Sequence, residues 1–274
     1  MSFNMQLTLE SQAILNNGVK IPRLGLGVYQ TAIGETTLRA VRYALNIGYR
    51  HIDTAWLYGN EGDVGRAVRE SGIPREEIFI TTKLWDSDQG YASTLRACER
   101  SLRRLGLSYV DLYLIHWPVQ GKSKDTWKAM IQLLRDGKAR TIGVSNYEIT
   151  DIQEILQNFD TLPMVNQIEF HPFLYQKELL QFCKNSQIQL EAYSPLTRGE
   201  KLNHPTVITI AQKYDKTAAQ ILIRWGLQHD LVVIPKSVHE NRIKENVEVY
   251  DFQLGEQDMK LLNSLNEDLR TVFL

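Results

Sequence analysis

Cysteine is scarce in this chain, with only Cys98 and Cys183 among 274 residues. They lie far apart, without a CxxC or a neighbouring His at ligand spacing, so neither a metal site nor a disulfide framework is expected. Both read as reduced, buried thiols. Long apolar runs are missing too: nothing approaches the roughly 18 residues of a membrane helix, and MSFNMQLTLE lacks the basic and apolar segments of a leader. The expected location is the cytoplasm. Charge of one sign is not in excess, since 31 Lys and Arg face 32 Asp and Glu. No global field therefore draws the chain to nucleic acid or anionic lipid, although a local anion site is compatible with that balance. Linkers and low-complexity tracts are absent as well, so residues 1–274 are expected to form one continuous domain, with a monomer as the default.

What is present is ordinary globular material, 43% hydrophobic and 23% charged. Short β-rich or apolar runs recur at residues 24–27 (LGLG), 50–53 (RHID), 78–83 (IFITTK), 110–115 (VDLYLI), 140–144 (RTIGV), 164–169 (MVNQIE), 188–193 (IQLEAY) and 231–235 (LVVIP). Between them, TTLRAVRYALNIG, YASTLRACERSLRRLG, DTWKAMIQLLRDGK and KELLQFCKN space their apolar residues as helices do, and Gly48, Gly106 and Gly137 sit where a helix would close. Eight strands alternating with helices match an α/β fold of the (β/α)8 TIM-barrel type, which typically needs about 250 residues, better than an open doubly wound sheet. Asn17-Gly18, between short apolar runs, predicts an N-terminal β-hairpin cap. HPTVITIAQKYDK and LGEQDMKLLNSLNE predict two extra helices outside the repeat.

Barrel enzymes place their chemistry where strands end. The second expected strand ends at Asp53 with Tyr58 in the following loop, the third ends at Lys83, and His116 follows the fourth. Singly, each has an ordinary explanation: a solvated Lys, a packed Tyr ring, a satisfied His. Placed after consecutive strands they converge on one rim, and together they suit proton donation to a carbonyl oxygen. Tyr holds its proton at neutral pH, with a reference pKa of about 10. A nearby ammonium favours phenolate, Asp53 can hold that ammonium, and His116 can orient the substrate oxygen. Arg50, His51 and Glu61 have weaker claims, explained by ion pairing or by the start of a helix. No metal-ligand cluster is visible.

A reduction also needs a hydride donor, yet the Gly-x-Gly in LGLGVYQ lacks the rest of a dinucleotide fingerprint. The later strand ends offer another mode. Asn146, after Ser145, and Gln167 can pair with a carboxamide, and Tyr193 offers a stacking face before Ser194 and Leu196. Lys236, Ser237 and Arg242 surround an expected helix start, where a phosphate would fit unless this is simply a charged, exposed helix.

These segments resemble the aldo-keto reductase family over essentially the whole length. GYRHIDTAWLYGNEGDVG (residues 48–65) and IPKSVHENRIKEN (residues 234–246) match its long signatures, with ITTKLW, DLYLIHWP, GVSNY, VNQIEFHP and AYSPL in order between them. The resemblance implies a catalytic tetrad of Asp53, Tyr58, Lys83 and His116, with Tyr58 as general acid. It implies NADPH as cofactor, with Ser145, Asn146 and Gln167 holding the nicotinamide carboxamide, Tyr193 stacking on the ring, and Val28, Tyr29 and Asp53 also among the cofactor contacts. Ser194, Leu196 and Arg198 would line the pyrophosphate path, and Lys236, Ser237, Val238, Arg242, Glu245 and Asn246 the adenosine end. Lys236 and Arg242 match positions used against a 2'-phosphate. Tyr29, Trp56, Trp85, His116 and Trp117 would form the substrate wall.

Tyr29 replaces a Trp common in relatives, the loop at residues 118–127 is short, and little chain follows NEDLRTVFL to fold over the substrate mouth. These features resemble the compact microbial branch acting on small aldehydes, dicarbonyls or keto sugars, which includes diketogluconate and glyoxal or methylglyoxal reductases. The expected partner is thus a small carbonyl compound. A Schiff-base aldolase using Lys83 is the enzymatic rival, disfavoured because Asp53 would keep Lys83 charged. A cofactor-sensing channel subunit is the non-enzymatic one; such relatives carry an added N-terminal segment, whereas the cap hairpin here begins almost at Met1.

Overall fold

Short strands that alternate with one-faced helices bury both their surfaces only by lying parallel with the helices outside. The computed structural model, which describes residues 7–272, has that arrangement. Expectations that rest on the first six or last two residues lie outside the described residues. β1 (Gln12–Ile14) and β2 (Lys20–Pro22) form the antiparallel hairpin. β3 (Leu26–Gly27), β4 (His51–Asp53), β5 (Phe79–Leu84), β6 (Val110–Ile115), β7 (Ala139–Ser145), β8 (Val165–Glu169), β9 (Gln189–Tyr193) and β10 (Val232–Val233) then pair in parallel, in chain order. Every one of the eight expected runs overlaps a strand. Parallel bridges between Leu24 and Val233 and between Gly27 and Lys236 join the first edge to the last and close the ring.

Helices α1 (Glu35–Asn46), α2 (Glu61–Glu70), α3 (Tyr91–Leu105), α4 (Ser123–Arg135), α5 (Ile149–Asn158) and α6 (Lys177–Asn185) follow successive strands. The two extra helices are α7 (Pro205–Tyr214) and α10 (Glu256–Asn263), while α8 (Ala218–Gln228) and α9 (Glu240–Glu245) flank β10. One boundary differs from expectation. The segment 118–127 is not all loop, because α4 begins at Ser123 and buries Trp127, whose Nε1 donates to the Thr161 carbonyl at 3.0 Å.

The hairpin covers the end of the barrel where strands begin. Asn16 donates to the Pro163 carbonyl at 3.0 Å, just before β8, and Asn17 to that of Arg140 at 3.1 Å, near the start of β7. The opposite rim is left open to the loops that carry function. Cys98 and Cys183 are both buried free thiols, and burial pushes each up to about 12. No helix among the described residues is long and apolar enough to cross a membrane.

The helix layer depends on close approach between α2 and α3. A Cβ on Gly65 would lie 1.9 Å from the Leu105 carbonyl oxygen, whereas one on Gly62 would have 3.8 Å to that of Arg104. Gly65→Ala must therefore part the helices, and urea unfolding should show a loss of roughly 1–3 kcal/mol. Gly62→Ala, in the same helix, should be neutral or stabilise by up to about 1 kcal/mol; equal effects would contradict this packing.

Candidate active site

The parallel register delivers the expected quartet to one rim. Asp53 closes β4, Lys83 lies near the end of β5, His116 follows β6, and Tyr58 ends the short helical turn Trp56–Tyr58. Lys83 Nζ donates to Asp53 Oδ1 at 2.6 Å, to the Thr54 carbonyl at 3.0 Å and to Tyr58 Oη at 3.4 Å. Three acceptors thus engage all three ammonium protons. The second Asp53 oxygen accepts from Gln167 Nε2 at 2.8 Å, across the barrel. Ring contacts connect the rest: Tyr58 lies 5.8 Å from His116 and 4.9 Å from Tyr29, and His116 lies 5.4 Å from Trp85.

Burial governs the protonation states here. Tyr58 is pushed well above its usual value by burial and then by the Asp53 charge. The acidifying effect expected from Lys83 alone is therefore not what dominates, because Asp53 offsets the ammonium and low polarity disfavours phenolate. Asp53 itself is raised by burial, against the pull of Lys83 and Gln167; donors on both its oxygens fit the carboxylate. Burial and the Lys83 charge hold His116 well below its ordinary value. It is a neutral imidazole, and its Nδ1 has no partner among the described residues.

From this rim a cavity of about 690 Å³ runs over the ends of the later strands. All the expected cofactor-contacting residues line it except Val28. Ser145, Asn146 and Tyr193 are already knit together: Ser145 donates to the Gln167 carbonyl at 2.8 Å, Asn146 Nδ2 to the His116 carbonyl at 3.0 Å, and Tyr193 Oη to Asn146 Oδ1 at 2.8 Å. Such a set presents a fixed polar wall. At the other end, Lys236 and Arg242 have no carboxylate partner within salt-bridge distance among the described residues, and Lys236 is lowered by burial and then by the nearby Arg198 charge. Crowded cations without a salt-bridging carboxylate fit a phosphate-bearing dinucleotide. Because α9 has only six residues and opens with Glu240, side chains more than a helix dipole supply this charge.

Several expected contacts are placed elsewhere. Val28 is fully buried, its amide donating to the Asp53 carbonyl and its carbonyl accepting from Thr31 and Asn60, so it supports the rim from behind. Trp56 turns outwards beneath Arg104, 5.6 Å from its ring centroid, and does not line the cavity. Trp85 backs His116 without lining the cavity, while Tyr29 and Trp117 do line it. Glu245 accepts from the Thr217 hydroxyl at 2.7 Å. The segment after α10 nevertheless reaches the cleft: Val272 lines it, and Glu169 accepts from the Thr271 amide at 2.8 Å. Arg50 donates to the Leu45 and Tyr49 carbonyls, and Glu61 opens α2 and pairs with Arg104, as their minor roles suggested. Thr54, Gln30, Leu57 and Glu169 escaped the sequence reading, since nothing local distinguishes them.

Comparison with known proteins gives a consistent result. The model of the Aldo/keto reductase family matches residues 23–267. A glyoxal reductase of Bacillus subtilis is 50% identical over 266 residues, covering 97% of this chain and 96% of its own. A 9,11-endoperoxide prostaglandin H2 reductase of Trypanosoma cruzi is 51% identical over 259 residues, covering 93% and 92%. Among solved structures, a Bombyx mori aldo-keto reductase in complex with NADP has a TM-score of 0.91 at 35% identity, over 98% of this chain and 96% of that one.

The His116 environment is directly testable. In 15N-histidine NMR, His116 should remain neutral at slightly acidic pH, because a lowered folded-state value moves protonation to more acid solution. A titration midpoint near the ordinary histidine value of about 6.5 would contradict the burial described here.

Proposed function

This chain belongs to the aldo/keto reductase family, an NADP-dependent oxidoreductase, and from that premise we propose that it reduces small aldehydes, dicarbonyls or keto sugars with Tyr58 as the general acid. The observation that carries this reading is Tyr58 lining the cleft with His116 while its hydroxyl accepts a hydrogen bond from a lysine held by Asp53. When bound, NADPH supplies the hydride that adds to the carbonyl carbon. Tyr58 gives its proton to the substrate oxygen as negative charge develops there, and Lys83 stabilises the phenolate left behind. Asp53, steadied by Gln167, keeps the ammonium aimed, and neutral His116 donates a hydrogen bond to the carbonyl oxygen. The name of the Bacillus relative and the modest aromatic wall of Tyr29, Tyr58 and Trp117 favour small carbonyl compounds.

Lys83 is wholly buried and does not line the cavity, which disfavours Schiff-base chemistry. Val28 and Trp56 are not proposed as contacts. Ser145, Asn146, Gln167 and Tyr193 are proposed to hold the nicotinamide end, Ser194, Leu196 and Arg198 the pyrophosphate, and Lys236, Ser237, Val238, Arg242 and Asn246 the adenosine end. Arg242 and Lys236 are proposed to meet the 2'-phosphate.

A panel of small aldehydes, dicarbonyls and keto sugars assayed with NADPH and NADH tests the substrate class; no turnover of any would overturn it. Tyr58→Phe should keep NADPH binding while turnover falls by about 10²–10⁴-fold, and the parent rate in that variant would remove the general-acid role. Arg242→Ala should weaken NADPH far more than NADH in fluorescence titration, and equal losses would refute the phosphate assignment.

A further inference from the structure

Beneath this site the barrel interior holds an acidic side chain that the proposed reaction does not use. Glu191 lies in the middle of β9, in register with Gln167 of β8 and Val232 of β10, and is completely buried. Neither of its carboxyl oxygens has a hydrogen-bond partner among the described residues. His51 Nε2 is 3.7 Å away and is shared with Thr81 Oγ1 at 3.1 Å. The nearby ammonium of Lys83 already serves Asp53, Thr54 and Tyr58, and the Gln167 amide nitrogen serves Asp53.

A carboxylate anion buried without donors is strongly disfavoured, whereas the neutral acid is tolerated. Burial and then the Asp53 charge push Glu191 up to about 8, against a weaker pull from Lys83 and from the Gln167 amide, whose hydrogen bond is made to Asp53 and not to Glu191. His51 cannot relieve it by taking the proton, because burial and Lys83 push the imidazole down to about 3. The groups around Glu191 are His51 and Asp53 from β4, Tyr58 from the loop after it, Lys83 from β5, Gln167 from β8 and Tyr193 further along β9. β10 contributes only Val232 and Val233, and α6, packed outside β9, exposes Lys177, Glu178 and Lys184 to solvent.

We propose that Glu191 is a positioning residue of the reductase: as a neutral acid it leaves Lys83 to a single carboxylate, and its ionisation suppresses reduction by adding a second buried negative charge that opposes proton donation by Tyr58. No covalent step is involved. Glu191 loses a proton to solvent, and the Tyr58 phenol becomes a weaker acid because phenolate would then face two carboxylates around one ammonium.

The inference rests on the reductase reading, and its test separates the two. Turnover of a small aldehyde at saturating NADPH is measured across neutral and alkaline pH for the parent and for Glu191→Gln, each profile scaled to its own maximum. The parent should lose turnover through an alkaline ionisation, and the variant should move that limb upwards by about one pH unit or more. Coincident limbs would overturn the proposal while leaving the reductase reading intact. Aldehyde reduction by neither protein, with NADPH still bound, would overturn the reductase reading and this one with it. Should the variant fail to fold, 13C-labelled glutamate NMR of the NADPH-bound parent decides: one carboxyl should stay protonated at neutral pH, and ionisation of every glutamate in the ordinary carboxylate range would sink the idea.

Discussion

The ion pair between Lys83 and Asp53 lies where charge is most costly to hold, inside the rim of a barrel with both side chains almost wholly removed from water. Such a pair persists only if every remaining donor and acceptor is satisfied, since desolvation otherwise exceeds the Coulombic attraction. That requirement reaches outwards. Thr54 takes one ammonium proton and Tyr58 another, and Gln167 crosses from β8 to satisfy the second carboxylate oxygen. Five polar groups from three strands and the loop after β4 are therefore locked in mutual register by one charge, and Tyr58 brings the phenol of this network to the cleft.

The same charge organises what lies around it. Burial first, and this charge second, hold His116 neutral, so the imidazole is suited to hydrogen bonding rather than to acid catalysis. Burial, and then the same charge, disfavour protonation of His51, and so leave Glu191 without a counter-ion below. The cleft consequently has a polarity gradient: a nearly neutral, tightly bonded end at Tyr58 and His116, and a cationic end at Arg198, Lys236 and Arg242. An extended ligand with phosphates at one end and a carboxamide at the other has only one orientation that matches both.

Much of this was legible in the sequence because a barrel converts order along the chain into position around a ring. The eight β-rich runs, the Asn17-Gly18 turn and the polar residues at strand ends carried the fold and the quartet, since each depends on local pattern plus one global rule. Trp56 shows where that logic stops. It stands two residues before Tyr58, yet one turn of tight helix sends its ring outwards to Arg104. Val28 likewise lies behind the cavity wall, a residue just past a strand end whose backbone is engaged by Asp53, Thr31 and Asn60.

The sequence by itself determined the alternation of elements, the chemical types present at each strand end and the likeness to a reductase family, because these are properties of spacing and residue identity. Only the tertiary structure decided the balance of charge. That Asp53 offsets the help Lys83 would give Tyr58, that Glu191 lies buried near the same pair with no hydrogen bond among the described residues, and that Glu169 anchors Thr271 beside the cleft-lining Val272 all follow from distances between residues remote in sequence. Such distances set the energy of a buried charge, and spacing along the chain does not reveal them.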